Sequence, residues 1–157
     1  MLIFVGEVMF SLPFHIPRYF RATVLDVFGL SNAQLGDVFA VYGITAASAY
    51  FLGGPLADRF PARKLIATSL LATGAGGLYL STIPGPFALA ILYGYWGLTT
   101  ILLFWAALIR ATREWGSTSS QGRAFGFLDG GRGLVSACLA SLAVIVFGWL
   151  FPAAAEH

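Results

Sequence analysis

Residues 65–109 read LIATSLLATGAGGLYLSTIPGPFALAILYGYWGLTTILLFWAALI, without one Asp, Glu, Lys, Arg or His. A helix needs about 20 mostly apolar residues to cross the hydrocarbon core of a bilayer. This run is too long for one crossing, and its one strong break is Pro84-Gly85-Pro86, a tight turn signal. It therefore reads as two transmembrane helices, about 64–83 and 86–110. So short a link makes them antiparallel neighbours.

The same reading extends both ways. Residues 38–57 carry no charge and imply a helix over about 34–57. Ahead of it stands Leu30-Ser31-Asn32-Ala33-Gln34, in which Ser31 or Asn32 can cap the first turn. Asp37 then falls in that first turn, where the helix dipole favours an acid. Residues 133–155 are uncharged, and the last helix is placed at about 122–151, ending before Pro152. The first residues lack a basic leader and a small-residue cleavage site, so they read as a membrane helix over about 1–20, not a signal peptide. Pro13 and Pro17 lie inside it, which membrane helices tolerate when neighbours satisfy the freed carbonyls.

Composition agrees. Hydrophobic residues make up 58% of the 157 and charged residues 10%, with a mean hydropathy of +0.81. Soluble domains carry about 25% charged residues, so a lipid bilayer must be the partner of this surface. The apolar runs are long and continuous, unlike the short alternating strands of a membrane barrel. The expected fold is all-α: a polytopic transmembrane bundle of about five spans, forming one domain over residues 1–157. A net charge of +2 without a basic face argues against nucleic acid. Cys138 is the one cysteine, and no Cys/His group has metal-ligand spacing, so neither a metal nor a cofactor is expected.

Basic residues in short loops set orientation. Arg59, Arg63 and Lys64 follow the second span, and Arg110, Arg113 and Arg123 lie between the fourth and fifth. Arg18 and Arg21 are the two on the opposite side. This bias predicts a multi-pass protein of the cell (inner or plasma) membrane with its N-terminus in the cytoplasm. Small residues at helical spacing, Gly122, Gly126 and Gly130 on the fifth span and Gly74, Gly76 and Gly77 on the third, offer places for close packing.

The loop after the second span reads Gly54-Pro55-Leu56-Ala57-Asp58-Arg59-Phe60-Pro61-Ala62-Arg63-Lys64. It resembles the signature loop of the major facilitator superfamily, roughly G-x-L-A-D-R-x-G-R-R-K. Gly54, Leu56, Ala57, Asp58, Arg59, Arg63 and Lys64 match; Pro61 and Ala62 stand where glycine and arginine are usual. The resemblance implies the N-terminal portion of a secondary transporter and a loop that gates the cytoplasmic side. It also implies substrate bound near mid-membrane between two halves, exposed by rocking. The bland reading is a basic loop that only fixes topology. The family's arginine in the first half of the fourth span is missing, since residues 87–97 hold no basic side chain; Arg110 remains to meet Asp58. Family members usually have twelve spans. Five imply a fragment, or a chain that needs the remaining helices of the transporter; residues 152–157 are too few for a sixth.

Ionisable groups inside a membrane are costly and are functional candidates by default. Glu7, Ser11, His15 and Arg18 follow at spacings of four, four and three, within about 80° on an ideal helix. Glu7 and His15 are candidates for a coupling proton, because both change charge when buried. The stretch from Phe14 to Arg21, followed by Leu30 to Gly36, also resembles the organophosphate:anion branch of the family. That branch implies an arginine on the first span that holds an anionic substrate, here Arg18, with His15, Ser11 and Tyr93 as further substrate-binding candidates. Guanidinium suits phosphate or carboxylate because it offers paired donors. Equally, Arg18 snorkels to the headgroups. Asp129 and Arg132, three apart on the fifth span, are expected to form an intrahelical charge pair; the alternative is an inter-helix contact that changes during alternating access.

These residues suggest gradient-driven symport or exchange of a small organic solute, anionic if Arg18 is its partner, together with a coupling ion. The competing readings are a non-transporting membrane partner or inactive remnant, and an intramembrane enzyme. The enzyme reading has little support: Asp129-Gly130 opens a lipid-transferase-like pattern that the following residues do not continue, and Ser11 near His15 belongs to no hydrolase motif.

Overall fold

The computed structural model describes residues 1–116 and 119–151; Pro152, which the sequence places after the last helix, lies outside them. The protein is an all-α helical bundle. In chain order it contains α1 (Leu2–Val8), a wide π-type turn (Ser11–His15), α2 (Ile16–Tyr19), α3 (Arg21–Val27), α4 (Asn32–Arg59) and α5 (Ala62–Leu80). Then come α6 (Pro86–Gly97), a second π-type stretch (Leu98–Trp105), α7 (Ala106–Trp115) and α8 (Gln121–Leu150). Among the described residues three continuous helices are long and apolar enough to cross a membrane: Asn32–Arg59, Pro86–Trp115 and Gln121–Leu150. At 28 and 30 residues they reach about 42–45 Å at 1.5 Å per residue, more than the hydrocarbon core requires.

The first apolar segment differs from the unbroken helix its composition suggests. It is interrupted at Met9–Phe10, widens over Ser11–His15 and breaks again at Phe20. The cause is proline chemistry. Neither Pro13 nor Pro17 has an N–H to donate to the preceding turn. Around them the chain turns to longer hydrogen bonds, His15 N–H to Phe10 O at 3.3 Å and Ile16 N–H to Ser11 O.

The start of α4 is settled by Ser31. Its hydroxyl accepts the Gln34 N–H at 3.2 Å, while the Gln34 side-chain oxygen accepts the Ser31 N–H at 2.8 Å. This reciprocal capping box satisfies two otherwise orphaned donors. Asn32 does other work, accepting from Arg21 Nε at 3.0 Å and Nη2 at 2.7 Å. Because the helix begins at Asn32, Asp37 lies beyond its first turn, contrary to the dipole assignment.

Helix directions follow from which residues meet. Tyr95 donates to Ala72 O and Trp96 Nε1 to Thr73 O, while Ser69 donates to Thr99 O. From Leu92 against Gly76, through Trp96 and Thr73, to Thr99 and Ser69, one number falls as the other rises, so α5 runs antiparallel to α6 and the π stretch. Val41 lies against Gly94, Tyr42 bonds Thr100, and Arg110 reaches Ala57 O, so α4 runs parallel to α6 and α7. Similarly, Ile3 meets Gly131 and Phe20 meets Phe147, so the first segment runs parallel to α8. The Arg59–Lys64 loop and the end of α7 therefore share one end of the bundle, and Arg18 and Arg21 occupy the other.

The core is a polar seam inside apolar packing. Trp96 and Phe104 are fully buried, joined by Leu35, Leu89, Leu92 and Tyr93. Through this core run Tyr42–Thr100 at 2.7 Å, Thr73–Thr99 at 2.8 Å and Thr100 Oγ1 to Trp96 O at 2.6 Å. Inter-helix hydrogen bonds in membranes average only about 0.6 kcal/mol each. The seam thus fixes register more than it adds stability. Its threonine hydroxyls also occupy the Trp96 carbonyl just where the helix widens, competing with backbone donors there. Around the outside, Phe51, Leu71, Leu78, Phe87 and Trp149 are exposed apolar side chains, as a surface facing lipid requires.

Small residues mark two tight crossings. A methyl group at Gly97 would overlap Thr45 Oγ1 and lie 2.8 Å from Tyr42 O; one at Gly76 would meet Trp96 Nε1. Gly77 lies against Leu12. By contrast Gly74, Gly122, Gly126 and Gly130 face open space, with no atom within 4 Å. The glycine of the last helix used for close packing is Gly131, against Ile3, so the regular four-residue spacing picked out the wrong face.

At the loop end, Arg110 closes α4. It donates to the carbonyl oxygens of Ala57, Asp58 (3.4 Å) and Phe60 (3.4 Å), and its Nε lies 2.7 Å from Glu114. These are carbonyls left without intrahelical partners at a helix C-terminus, where a cation is favoured. Two outcomes are expected. Gly97→Ala lowers the thermal unfolding midpoint in detergent, by the roughly 1–3 kcal/mol typical of overpacking. Arg110→Gln makes the Arg59–Lys64 loop more susceptible to protease, while Glu114→Gln, which spares the carbonyl contacts, leaves cleavage near the native rate.

Candidate functional site

The broken first segment positions the site. Glu7 lies in the last turn of α1 and His15 ends the wide turn, eight residues on. Their side chains meet, His15 Nε2 standing 3.0 Å from Glu7 Oε1. The other Glu7 oxygen lies 3.3 Å from Arg132 Nε on α8. Glu7 is 6% exposed, so it is a buried carboxylate shared between a histidine and a guanidinium. Gly6 makes this possible, since the Arg132 side chain passes 3.1 Å from where a methyl group would stand.

The Arg132 guanidinium lies over two neighbouring rings that meet edge to face, 5.6 Å from the Phe10 centroid and 5.3 Å from that of Trp105. Ring faces attract a cation. Trp105 closes the second π-type stretch, so the widened turn presents the ring to α8. The expected Asp129–Arg132 pair exists only loosely: Asp129 is exposed, 3.7 Å from Nη1. Nε is buried and makes no hydrogen bond despite its closeness to Glu7, because the approach is angularly poor.

Beside this cluster lies a cavity of about 470 Å³, lined by Glu7, His15, Arg18, Arg21, Arg132 and the rings of Phe10, Phe14 and Phe39, with Pro17. Three arginines, a histidine and one carboxylate thus line the same cavity, and of these His15 and Arg132 pair with the carboxylate. A second cavity of about 250 Å³ shares Phe10 and Arg132 with it and adds Tyr50, Ile101 and Trp105. Arg132 is thus a wall common to both.

The structure brings together Glu7, His15 and Arg18 among the residues singled out on the first segment. Ser11 is not among those lining the cavity, because the π-type turn breaks the even rotation from which the four-residue stripe was drawn. Tyr93 is also elsewhere: it is buried 5.1 Å from Trp96 and 5.5 Å from Phe39, centroid to centroid, as part of the core. Arg18 is exposed and lies 5.9 Å from the Tyr19 ring. Sequence reasoning missed three things: Arg21 as a lining residue, the rings of Phe10 and Trp105 against Arg132, and the link from Arg132 to Glu7. The last had a signal. Two opposite charges on separate apolar segments each need a partner, and each is the other's best one.

Of the signature-loop residues, Asp58, Arg59, Arg63 and Lys64 are exposed, as is Gly54; Leu56 is half-buried. Arg110 does come to this loop, but it binds the backbone carbonyl of Asp58, not its carboxylate. Among the described residues no ion pair to the Asp58 side chain is formed.

The sequence profile of the Major Facilitator Superfamily matches residues 3–155. Inner membrane protein YihN of Escherichia coli (strain K12) is 33% identical over 144 residues, which cover 92% of this chain and 34% of that protein. Inner membrane protein YqcE of the same organism is 31% identical over 149 residues, 95% of this chain and 35% of that protein. The chain thus spans about a third of the length of these curated relatives. No solved structure matches it. With the family profile covering nearly every residue of an apolar helix bundle that carries the signature loop, the chain belongs to the Major Facilitator Superfamily.

Proposed function

We propose that these helices form the N-terminal part of a secondary transporter that moves a small organic anion by alternating access, driven by a gradient or by exchange. The observation that carries this is the cavity lined by Arg18, Arg21, Arg132 and His15 with a single carboxylate, Glu7. Guanidinium groups on apolar walls recognise carboxylate or phosphate through paired, charge-assisted hydrogen bonds. The flanking phenylalanines suit the carbon skeleton of the solute. Ionisable groups at membrane depth seldom persist without such a use.

In this reading Arg18 holds the anionic group and His15, next to Glu7, passes the coupling proton. The Gly54–Lys64 loop gates the end of the bundle that carries most of the basic residues, and that end faces the cytoplasm together with the N-terminus. The two curated relatives are inner membrane proteins by name, which supports placing this chain in the same membrane. The helices beyond this chain's share of those relatives supply the other side of the pathway.

The test is uptake of a panel of small carboxylates and phosphate esters by cells expressing the native polypeptide. Arg18→Lys keeps the charge but loses the paired donors. It is expected to abolish uptake while the amount of protein in the membrane stays unchanged. Undiminished uptake by this variant would remove Arg18 from the site.

A further inference from the structure

Arg132 is held unusually. Its guanidinium lies over the rings of Phe10 and Trp105, borders both cavities and leans on a carboxylate with which it forms no hydrogen bond through Nε. A charge so placed is compensated but not fully used. We propose that Arg132 is the second cation of the anion site, and that Glu7 occupies it as an internal counter-ion until the ligand's anionic group displaces it. This rests on the reading of the cavity as an anion site.

The argument starts from what Glu7 can tolerate. A buried carboxylate that loses its cation costs several kcal/mol, and a second anion nearby adds repulsion. When the ligand takes over Arg132, Glu7 therefore accepts one proton from solvent and becomes neutral. The charge of the site is conserved: one internal anion is neutralised as the ligand's replaces it. His15 lies between the cavity and Glu7, 3.0 Å from its oxygen, and is the group through which that proton passes. The charged groups facing Glu7 are His15 on its own segment and Arg132 and Asp129 from α8. α7, which also packs on α1, carries Arg110, Arg113 and Glu114; Arg110 and Glu114 pair with each other at the loop end.

The ligand gains because an oxyanion approaching from the cavity is free to align with the guanidinium edge, as Glu7 Oε2 at 3.3 Å is not. Aligned charge-assisted bonds are roughly twice as strong as neutral ones. The two rings lie on one side of the guanidinium, and Arg132 lines both cavities. Arg18, exposed on the same cavity, supplies the first contact, and Arg132 the buried one.

The experiment uses the native polypeptide in lipid nanodiscs in weakly buffered solution near neutral pH. The probes are sulfate and propionate, neither of which titrates there. Binding and proton uptake are measured together. The native protein is expected to bind at least one probe with uptake of a proton. Glu7→Gln is expected to bind as tightly or more tightly, with no proton uptake. Arg132→Gln is expected to lose about tenfold or more in affinity, the equivalent of 1.4 kcal/mol, with partial recovery in Arg132→Lys. If Arg132→Gln does not fold, the double variant Glu7→Gln/Arg132→Gln removes both buried charges together and replaces it; native affinity in that variant overturns the proposal. Native affinity in Arg132→Gln, or unchanged proton uptake in Glu7→Gln, also overturns it, and leaves the cavity reading intact if Arg18→Gln still weakens binding. Failure of the native protein to bind either probe removes the cavity reading and this inference with it.

Discussion

The contact on which the arrangement turns is the buried ion pair between Glu7 and Arg132. It joins the first segment to α8, which otherwise touches the rest of the bundle mainly through α7. In hydrocarbon neither charge can stand alone, and removing one partner of a buried pair costs on the order of 3–5 kcal/mol. The position of α8 is therefore tied to the pairing of one carboxylate. Gly6 and Gly131 let the two backbones come close enough for the pair to form.

Two departures from regular helix serve this contact. The prolines at 13 and 17 remove donors, the first segment widens, and His15 comes to lie beside Glu7 in place of a smooth stripe of four polar residues. In the fourth apolar run, threonine hydroxyls crowd the Trp96 carbonyl, the helix widens again, and Trp105 closes the stretch with its ring against Arg132. Wide turns of this kind are frequent at functional sites. Meanwhile the Tyr42, Thr73, Thr99 and Thr100 seam keeps α4, α5 and α6 in register, so the cavity has a fixed wall on that side.

The other end of the bundle is organised by a different rule. Arg110 satisfies the carbonyls at the end of α4 and so anchors the signature loop to α7. The exposed Asp58, Arg59, Arg63 and Lys64 remain available to whatever meets that face. The loop's pattern is thus retained while its link to the fourth apolar run passes through the backbone.

Much of the fold could be read from residues 65–109 and their neighbours, because hydrophobic length and charge placement are properties of the chain itself. An apolar run must be covered by lipid or protein wherever it folds, and its backbone must be helical to satisfy its own polar groups. Family membership was legible for the same reason, in a short contiguous loop. The Ser31 capping box is equally local. What only the tertiary structure decided was which distant groups meet. Arg132 keeps the expected ion pair with Asp129, three residues away, and also meets Glu7 on another helix; Tyr93 went to the core; Arg21 joined the cavity. Spacing gives angles on one ideal helix, while a site is made where helices cross, and the crossing depends on glycines, prolines and widened turns whose partners lie far along the chain.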